Sequence, residues 1–371
     1  MNQCPVCDGS DFIPLYALEA LPVFQNIVYE SAQEAVDALM VPINLQECLF
    51  CGFVHNPLFD PSLLVYDKRY QNEQGLSPAF ERHLDQTIQS FLEKGYKDKS
   101  VTEIGCGKGL FLEKMKRQGF QNIKGFDPAY EGDSPYISVS YFDENSEIEK
   151  ADLIIIRHVL EHIEDPIAFL QMVAKANNYH GDIFIEAPNF DWIRRSKAFW
   201  MVFPEQCSYF SLVSMKNIFK EGDVFPVFGD QYLNVYSPLR FLNNIDIDWR
   251  NFSAKGIVQD ATLELNQNIE KVRQLFERYS DREIIIWGGS ARGVILVSIL
   301  DKDRQKVHCL IDINEKKQGK FIAGTGHAIH SPQYLKELDK DKIVVFVANG
   351  NYLNEIRQMI DDPKIELVEI N

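Results

Sequence analysis

Apolar residues recur at three- and four-residue steps over 78–94, at Phe80, Leu84, Ile88, Phe91 and Leu92, and this spacing predicts an amphipathic helix. Val101-Thr102-Glu103-Ile104 then reads as a short strand that breaks into the glycine turn Gly105-Cys106-Gly107-Lys108-Gly109, with a helix over Leu110 to Gln118. A second strand ends in Gly125-Phe126-Asp127. A third runs from Ala151 into His158 and is apolar on both faces, as a buried parallel strand must be. A further strand covers Asp182 to Asn189.

The last third repeats the formula. A long helix over about 260–279 precedes a strand, Glu283 to Trp287, that breaks into Gly288-Gly289-Ser290-Ala291-Arg292-Gly293. Two more strands follow, Val307 to Ile311 ending in Asp312, and Lys342 to Val347. Alternating strands and helices of this kind predict an α/β chain with two doubly wound units. The second could bind a nucleotide or simply dock and shape the site, since a glycine turn alone does not choose.

Composition narrows the class. The chain has 371 residues, which suggests two or three domains. Hydrophobic and charged fractions of 45% and 25% are those of an ordinary globular protein. No apolar run spans a bilayer and Met1 to Cys7 lacks a secretory pattern, so a cytoplasmic protein without a membrane partner is expected. The formal net charge of −16 argues against nucleic acid and for a small-molecule substrate.

Four of the seven cysteines form two CxxC pairs, Cys4/Cys7 and Cys48/Cys51, the second followed by Gly52. Two such pairs can close a tetrahedron of thiolates around a structural zinc ion, with a hairpin or inserted loop filling the gap. Cys106, Cys207 and Cys309 stand alone and read as small buried hydrophobes.

Glycines at a strand end let backbone approach a ligand, and the amides opening the next helix can receive an anion. Asp127 ends the neighbouring strand, where a carboxylate can accept from both hydroxyls of a ribose. Tyr141-Phe142-Asp143 offers an aromatic pair and an acid suited to flanking an adenine. These stations, taken with the segment from Ala151 to His162, resemble the class I methyltransferases that use S-adenosylmethionine (SAM). The resemblance implies a cofactor-binding set of Glu103, Gly105, Gly107, Asp127, Phe142, Arg157 and His158: the glycine turn for the amino-acid end of SAM, Asp127 for the ribose, and Phe142 with Arg157 or His158 for the adenine. His158 and His162 lie four apart, but HVLEH is not the HExxH of zinc peptidases, and His162 reads as a packing or capping residue.

Beyond Pro188 comes an aromatic stretch, Trp192, Phe199, Trp200 and Phe203, leading to Pro204-Glu205-Gln206-Cys207-Ser208-Tyr209-Phe210-Ser211. It follows the carboxyl end of a strand, where open α/β sheets bind acceptors, and is expected to form the substrate wall. Asn189, Phe203 and Tyr209, with Tyr70 from the segment ahead of the first helix, are the expected substrate-binding residues.

The order of modules, a zinc-binding module over 1–60, a methyltransferase domain over 61–250 and a Rossmann-like domain over 251–371, resembles the three-part NDP-hexose C-methyltransferases, which methylate keto sugars attached to a nucleotide. Asn314 to Gly319, His327 to Pro332, and Glu205 to Ser211 carry that resemblance. The family's segment reads Glu-His, and its histidine is the favoured base; here the position is Gln206. Glutamine can orient an acceptor but cannot take its proton. Glu205 and Gln206 are therefore the candidate catalytic pair, with three readings open: Glu205 as a base, an acceptor hydroxyl or amine that needs little base, or a chain that binds SAM or a nucleotide sugar without turnover.

Overall fold

The computed structural model describes residues 3–67, 69–73, 75–144, 146, 150–243 and 261–370. The amino-terminal segment contains β1 (Phe12–Pro22), β2 (Val28–Tyr29), α1 (Ala32–Val36), β3 (Met40–Cys48) and β4 (Val54–His55). β1 and β3 pair antiparallel along nearly their whole length, which is the hairpin that carries the chain from Cys7 back to Cys48.

α2 (Pro78–Glu93) opens the middle region. Ser77 caps it by accepting from the Phe80 amide, Pro78 occupies its first turn, and Phe80, Leu84, Ile88 and Phe91 are its buried apolar stripe. Then follow β5 (Val101–Ile104), α3 (Leu110–Arg117), β6 (Ile123–Phe126), β7 (Ile137–Ser138), β8 (Leu153–Arg157), α4 (Pro166–Ala176), β9 (Asp182–Pro188), α5 (Phe190–Arg195), β10 (Ser208–Tyr209), α6 (Leu212–Ile218), β11 (Asp223–Val227) and β12 (Tyr232–Pro238). Seven strands form one sheet in the order β11-β12-β9-β8-β5-β6-β7. β12 enters antiparallel between β9 and β11, while β9, β8, β5, β6 and β7 run parallel. The order turns outward on either side of β5 and β8, so the crevice for a ligand opens at their carboxyl ends.

The carboxy-terminal region comprises α7 (Ala261–Arg278), β13 (Glu283–Trp287), α8 (Ala291–Leu300), β14 (Val307–Ile311), β15 (Phe321–Ile322), β16 (Ile329–His330), β17 (Ile343–Val347), α9 (Leu353–Ile360) and β18 (Glu366–Glu369). Its parallel sheet has the order β16-β14-β13-β17-β18. The expected domain limit at 250/251 lies outside the described residues.

Two pairings tie the regions together. β10 adds to β4, completing the sheet β1-β3-β4-β10, and β2 pairs with β15. The aromatic stretch differs from the expectation. Phe199 and Trp200 are fully buried in one cluster with Val294, Ile295, Leu296 and Val297 of α8. A run of aromatics after a strand can line a pocket or join two layers, and burial of that area stabilises the joint; of the four aromatics expected to form the wall, only Phe203 lines the cavity described below.

Candidate functional site

The four sulfurs of Cys4, Cys7, Cys48 and Cys51 lie within 4.8 Å of one another and could hold one metal ion. Cys4 Sγ and Cys51 Sγ, like Cys7 Sγ and Cys48 Sγ, are 3.6 Å apart. Zinc–sulfur bonds of about 2.3 Å in a tetrahedron require sulfurs roughly 3.8 Å apart, so the donor set is of the right kind and close to the right spacing. Gly52 has a φ of 69°, and its amide donates to Cys48 O at 2.8 Å in the second knuckle.

At the end of β5 the chain bends through Gly105 and Gly107, with φ of 74° and 57°. Gly105 is tightly enclosed, since an added Cβ would sit 2.2 Å from Val159 Cγ2. At Gly107 the space is open, with only Asn72 Oδ1 at 3.8 Å. Asp127 closes the bend from the end of β6: its Oδ2 accepts from the Gly107 amide and its Oδ1 from the Ala129 amide, each at 2.7 Å. Burial raises the Asp127 pKa, and these two amides work against that rise. Phe142 packs edge-on against Phe126, ring centroids 5.4 Å apart. This cradle of open glycine backbone, ribose-ready carboxylate and aromatic wall fits the donor that the resemblance implies. Glu103 is buried beneath it with Oε2 unpartnered, and burial, opposed by Arg157, pushes its pKa up to about 8.

Arg157 and His158 lie among buried carboxylates. Arg157 bonds Glu186 Oε1 at 3.0 Å, lies 3.8 Å from Glu103 Oε1, and sits 4.3 Å above the Phe111 ring. His158, at a φ of 53°, lies 3.4 Å from Glu161 and 3.3 Å from Glu186. Burial works against its charge, yet those two carboxylates push its pKa up to about 9. Burial likewise opposes charge on Glu186, but Arg157, His158 and His83 hold that carboxyl well below the usual range.

A cavity of ≈ 250 Å³ opens between the middle and carboxy-terminal regions. It brings together Tyr70, His158, Phe203, Glu205 and Gln206 from the expected set. The Tyr70 hydroxyl donates to Glu205 Oε2 at 2.8 Å, and the Gln25 amide donates to Glu205 Oε1 at 3.0 Å. Burial raises the pKa of Glu205, against His162 and these hydrogen bonds. Gln206 Oε1 is buried and has no partner.

Asn189 and Tyr209 stand apart from the cavity lining. Asn189 caps α5 and donates to Asp230 O at 2.8 Å; Tyr209 is buried in β10 with its hydroxyl on Phe203 O at 3.3 Å. Both fit structural roles. His162, expected to be a packing or capping residue, lines the cavity with Nδ1 2.7 Å from Glu205 O. Asn26, Glu161, Arg292 and Ser290 also face the cavity and carry no sequence signal beyond their polarity, apart from the glycine turn that includes Ser290 and Arg292.

A family model described as a methyltransferase domain matches residues 77–223, and one described as a C-methyltransferase C-terminal domain matches residues 249–362. The chain is therefore a SAM-dependent methyltransferase of the class I fold, followed by the C-terminal domain of the C-methyltransferases. It is similar over 372 aligned residues to the C-methyltransferase NovU of Streptomyces niveus, at 22% identity, covering 90% of this chain and 86% of the relative. The ubiquinone biosynthesis O-methyltransferase of Serratia proteamaculans is 27% identical over 29% of this chain and 48% of its own length. Among solved structures, magnesium protoporphyrin IX methyltransferase from Synechocystis PCC 6803 with bound S-adenosylhomocysteine aligns with 43% of this chain and 82% of its own, at a TM-score of 0.32 and 14% identity. Among the described residues no helix is long and apolar enough to cross a membrane.

Proposed function

We propose that this enzyme transfers the methyl group of SAM to a nucleotide-linked keto sugar in the cytoplasm, at the carbon beside the ketone, with Tyr70 and Glu205 standing in for the missing histidine. The hydrogen bond from Tyr70 to Glu205, inside a cavity shared by both Rossmann-like units, is the observation that carries this reading. A carboxylate whose basicity is raised by burial is a competent base near neutral pH, where glutamine is not. Glu205 takes the phenol proton as the Tyr70 oxygen takes the proton from the carbon beside the ketone. That carbon then bonds to the methyl group while the methyl–sulfur bond breaks and S-adenosylhomocysteine leaves, and the dyad returns its proton to solvent.

The other residues divide by position. Gly105, Gly107, Asp127, Phe142 and Glu103 hold SAM. The start of α8 at Ser290, with Arg292, suits the diphosphate of a nucleotide sugar, because the amides that open a helix and a guanidinium both favour anions. The four cysteines hold a structural zinc ion. The division into 1–60, 61–250 and 251–371 assigns one of these tasks to each part.

A second reading rests on Gln206. Its unpartnered buried oxygen is an acceptor, and it would suit a hydroxyl or amine donor on the substrate, hence oxygen or nitrogen methylation. Incubation with methyl-labelled SAM and a panel of nucleotide sugars separates the readings. Label transfer with deuterium exchange beside the sugar ketone supports carbon methylation, and transfer without that exchange supports the second reading. Donor binding with no transfer to any acceptor would leave a binding partner without turnover.

A further inference from the structure

The segment between β1 and α1 leaves the amino-terminal hairpin and crosses to the cavity. The amide of Gln25 donates to Glu205 Oε1 at 3.0 Å, and the backbone of Asn26 next to it also favours the charged carboxylate. Asn26 Nδ2 donates to the Tyr70 hydroxyl at 3.2 Å, and Asn26 O accepts from the Gln71 amide at 2.9 Å. Ile27 forms a bridge with Tyr70. Gln25 is fully buried, with its side-chain amide turned back on Pro22 O and Val23 O, so the loop cannot swing freely about this point.

The far side of the same segment is braced by the carboxy-terminal region. β2 pairs with β15 through Tyr29 and Val28 against Phe321 and Ile322. Glu30 meets Lys320 at 2.9 Å, and the Gly324 amide donates to Ala35 O at 2.7 Å. The loop is thus held by its own hairpin at one end and by the carboxy-terminal region at the other, and between them it meets the buried Tyr70–Glu205 pair.

We infer that the amino-terminal metal module is a working part of the acceptor site: its Gln25–Asn26 turn is a positioning element that orients the Tyr70 phenol toward Glu205 and fixes the charge environment of that carboxylate. The physical reason is geometric. A phenol in a cavity has a free rotor about its C–O bond and accepts as well as donates. A donor from Asn26 occupies the acceptor side of Tyr70, so the single Tyr70 proton is left to point at Glu205. The Gln25 amide on Oε1 of the carboxylate then leaves Oε2 to face Tyr70. The inference rests on the proposed role of the dyad, and it adds that a residue from the first sixty positions governs that role.

Two measurements test it. The first needs no acceptor: hydrogen exchange at the Gln25 amide, compared between the wild-type enzyme and Glu205→Ala in the full-length, metal-loaded chain. Exchange at this amide should quicken by about tenfold or more when the carboxylate is removed, while amides of the β1–β3 hairpin keep their protection. Unchanged exchange at Gln25 overturns the inference.

The second measurement compares Asn26→Ala and Asn26→Asp in methyl transfer from labelled SAM to the nucleotide-sugar panel. Asn26→Asp keeps the size but replaces a donor with a charged acceptor that competes for the phenol proton. The acidic limb of its rate profile should move to higher pH, because Glu205 loses its Tyr70 bond and gains a negative neighbour. SAM affinity and metal content should stay at wild-type values in both variants. Crippled Glu205→Gln and Tyr70→Phe beside an Asn26→Asp enzyme with a wild-type pH profile would remove this inference and leave the dyad standing. Normal turnover in Glu205→Gln and Tyr70→Phe would remove the dyad as base, and the inference with it.

Discussion

The hydroxyl of Tyr70 reaches Glu205 Oε2 across 2.8 Å, joining two buried side chains 135 positions apart at the wall of a cavity between two Rossmann-like units. Neither residue would be noteworthy alone. Together they set a phenol against a carboxylate whose basicity burial raises, the pair proposed to take a proton from the substrate.

If that pair moves the proton, Glu205→Gln and Tyr70→Phe should each lower turnover by about 10²- to 10⁴-fold, the range for loss of general acid–base assistance. SAM affinity, read by calorimetry, should stay within about twofold, since neither side chain belongs to the glycine cradle. A wild-type rate in Glu205→Gln excludes Glu205 as the base.

Asp127 makes two hydrogen bonds to backbone amides and is the proposed ribose acid. Asp127→Ala should weaken SAM binding by about 1–3 kcal/mol through loss of a charged hydrogen-bonding group. Unaltered affinity would take Asp127 out of the donor site.

The two glycines of the bend should fail in different ways. Gly105→Ala meets Val159 at 2.2 Å as well as a left-handed backbone, so it should lower the thermal midpoint of the whole domain. Gly107→Ala has room for its methyl group, and should cost roughly 1–2 kcal/mol of backbone strain while mainly weakening SAM binding. Equal thermal losses in the two variants would contradict the open cradle at Gly107.

Stability of the donor-free protein should fall on the alkaline side of neutrality. Burial holds Glu103 up to about 8, against Arg157, whereas the unfolded chain releases that proton near about 4.3. Between those values the folded state binds more protons, so the stabilisation is full below the unfolded value and is lost as pH rises to about 8. His158 acts in the same direction between about 6.5 and 9, because its folded pKa is raised too. Thermal unfolding from pH 6.5 to 9 should show a falling midpoint, with a shallower slope in Glu103→Gln. A midpoint that rises across this range runs against both assignments.

Metal analysis should find about one zinc ion per chain, and Cys48→Ser should abolish it, because a structural site needs its complete set of thiolates. Cys4, Cys48 and Cys51 are buried in a cluster shared with Phe210 and Met215 of the middle region. Loss of the ion should therefore expose apolar surface beyond the module itself, visible as increased dye binding. Full stability and turnover in metal-free protein would show that the cluster is dispensable.

Where the sequence was legible, the signal was local. The stripe in α2, the strands around the two glycine turns and the two CxxC knuckles depend on residues within a few positions of each other, through helical and strand periodicity and the left-handed backbone that glycine permits. The aromatic stretch after Pro188 was not legible in this way. Phe199 and Trp200 have the composition of a pocket wall, yet they bury against α8. Hydrophobicity does not tell a wall from a joint, because both remove the same kind of surface from water.

By itself the sequence determined the α/β class, the repeated strand–glycine–helix units, the thiolate set and the acid at the end of β6. Each follows from short-range chemistry that the backbone must obey wherever the segment lies. Only the tertiary structure decided that Glu205 meets Tyr70 and the Gln25–Asn26 turn, that His158 sits beside Glu161 and Glu186, and that Asn189 and Tyr209 are not among the residues lining the cavity. Such contacts join positions far apart in the chain. They are fixed by the combined burial and hydrogen bonding of the regions that meet there, a sum over many distant contacts that no short stretch of residues carries.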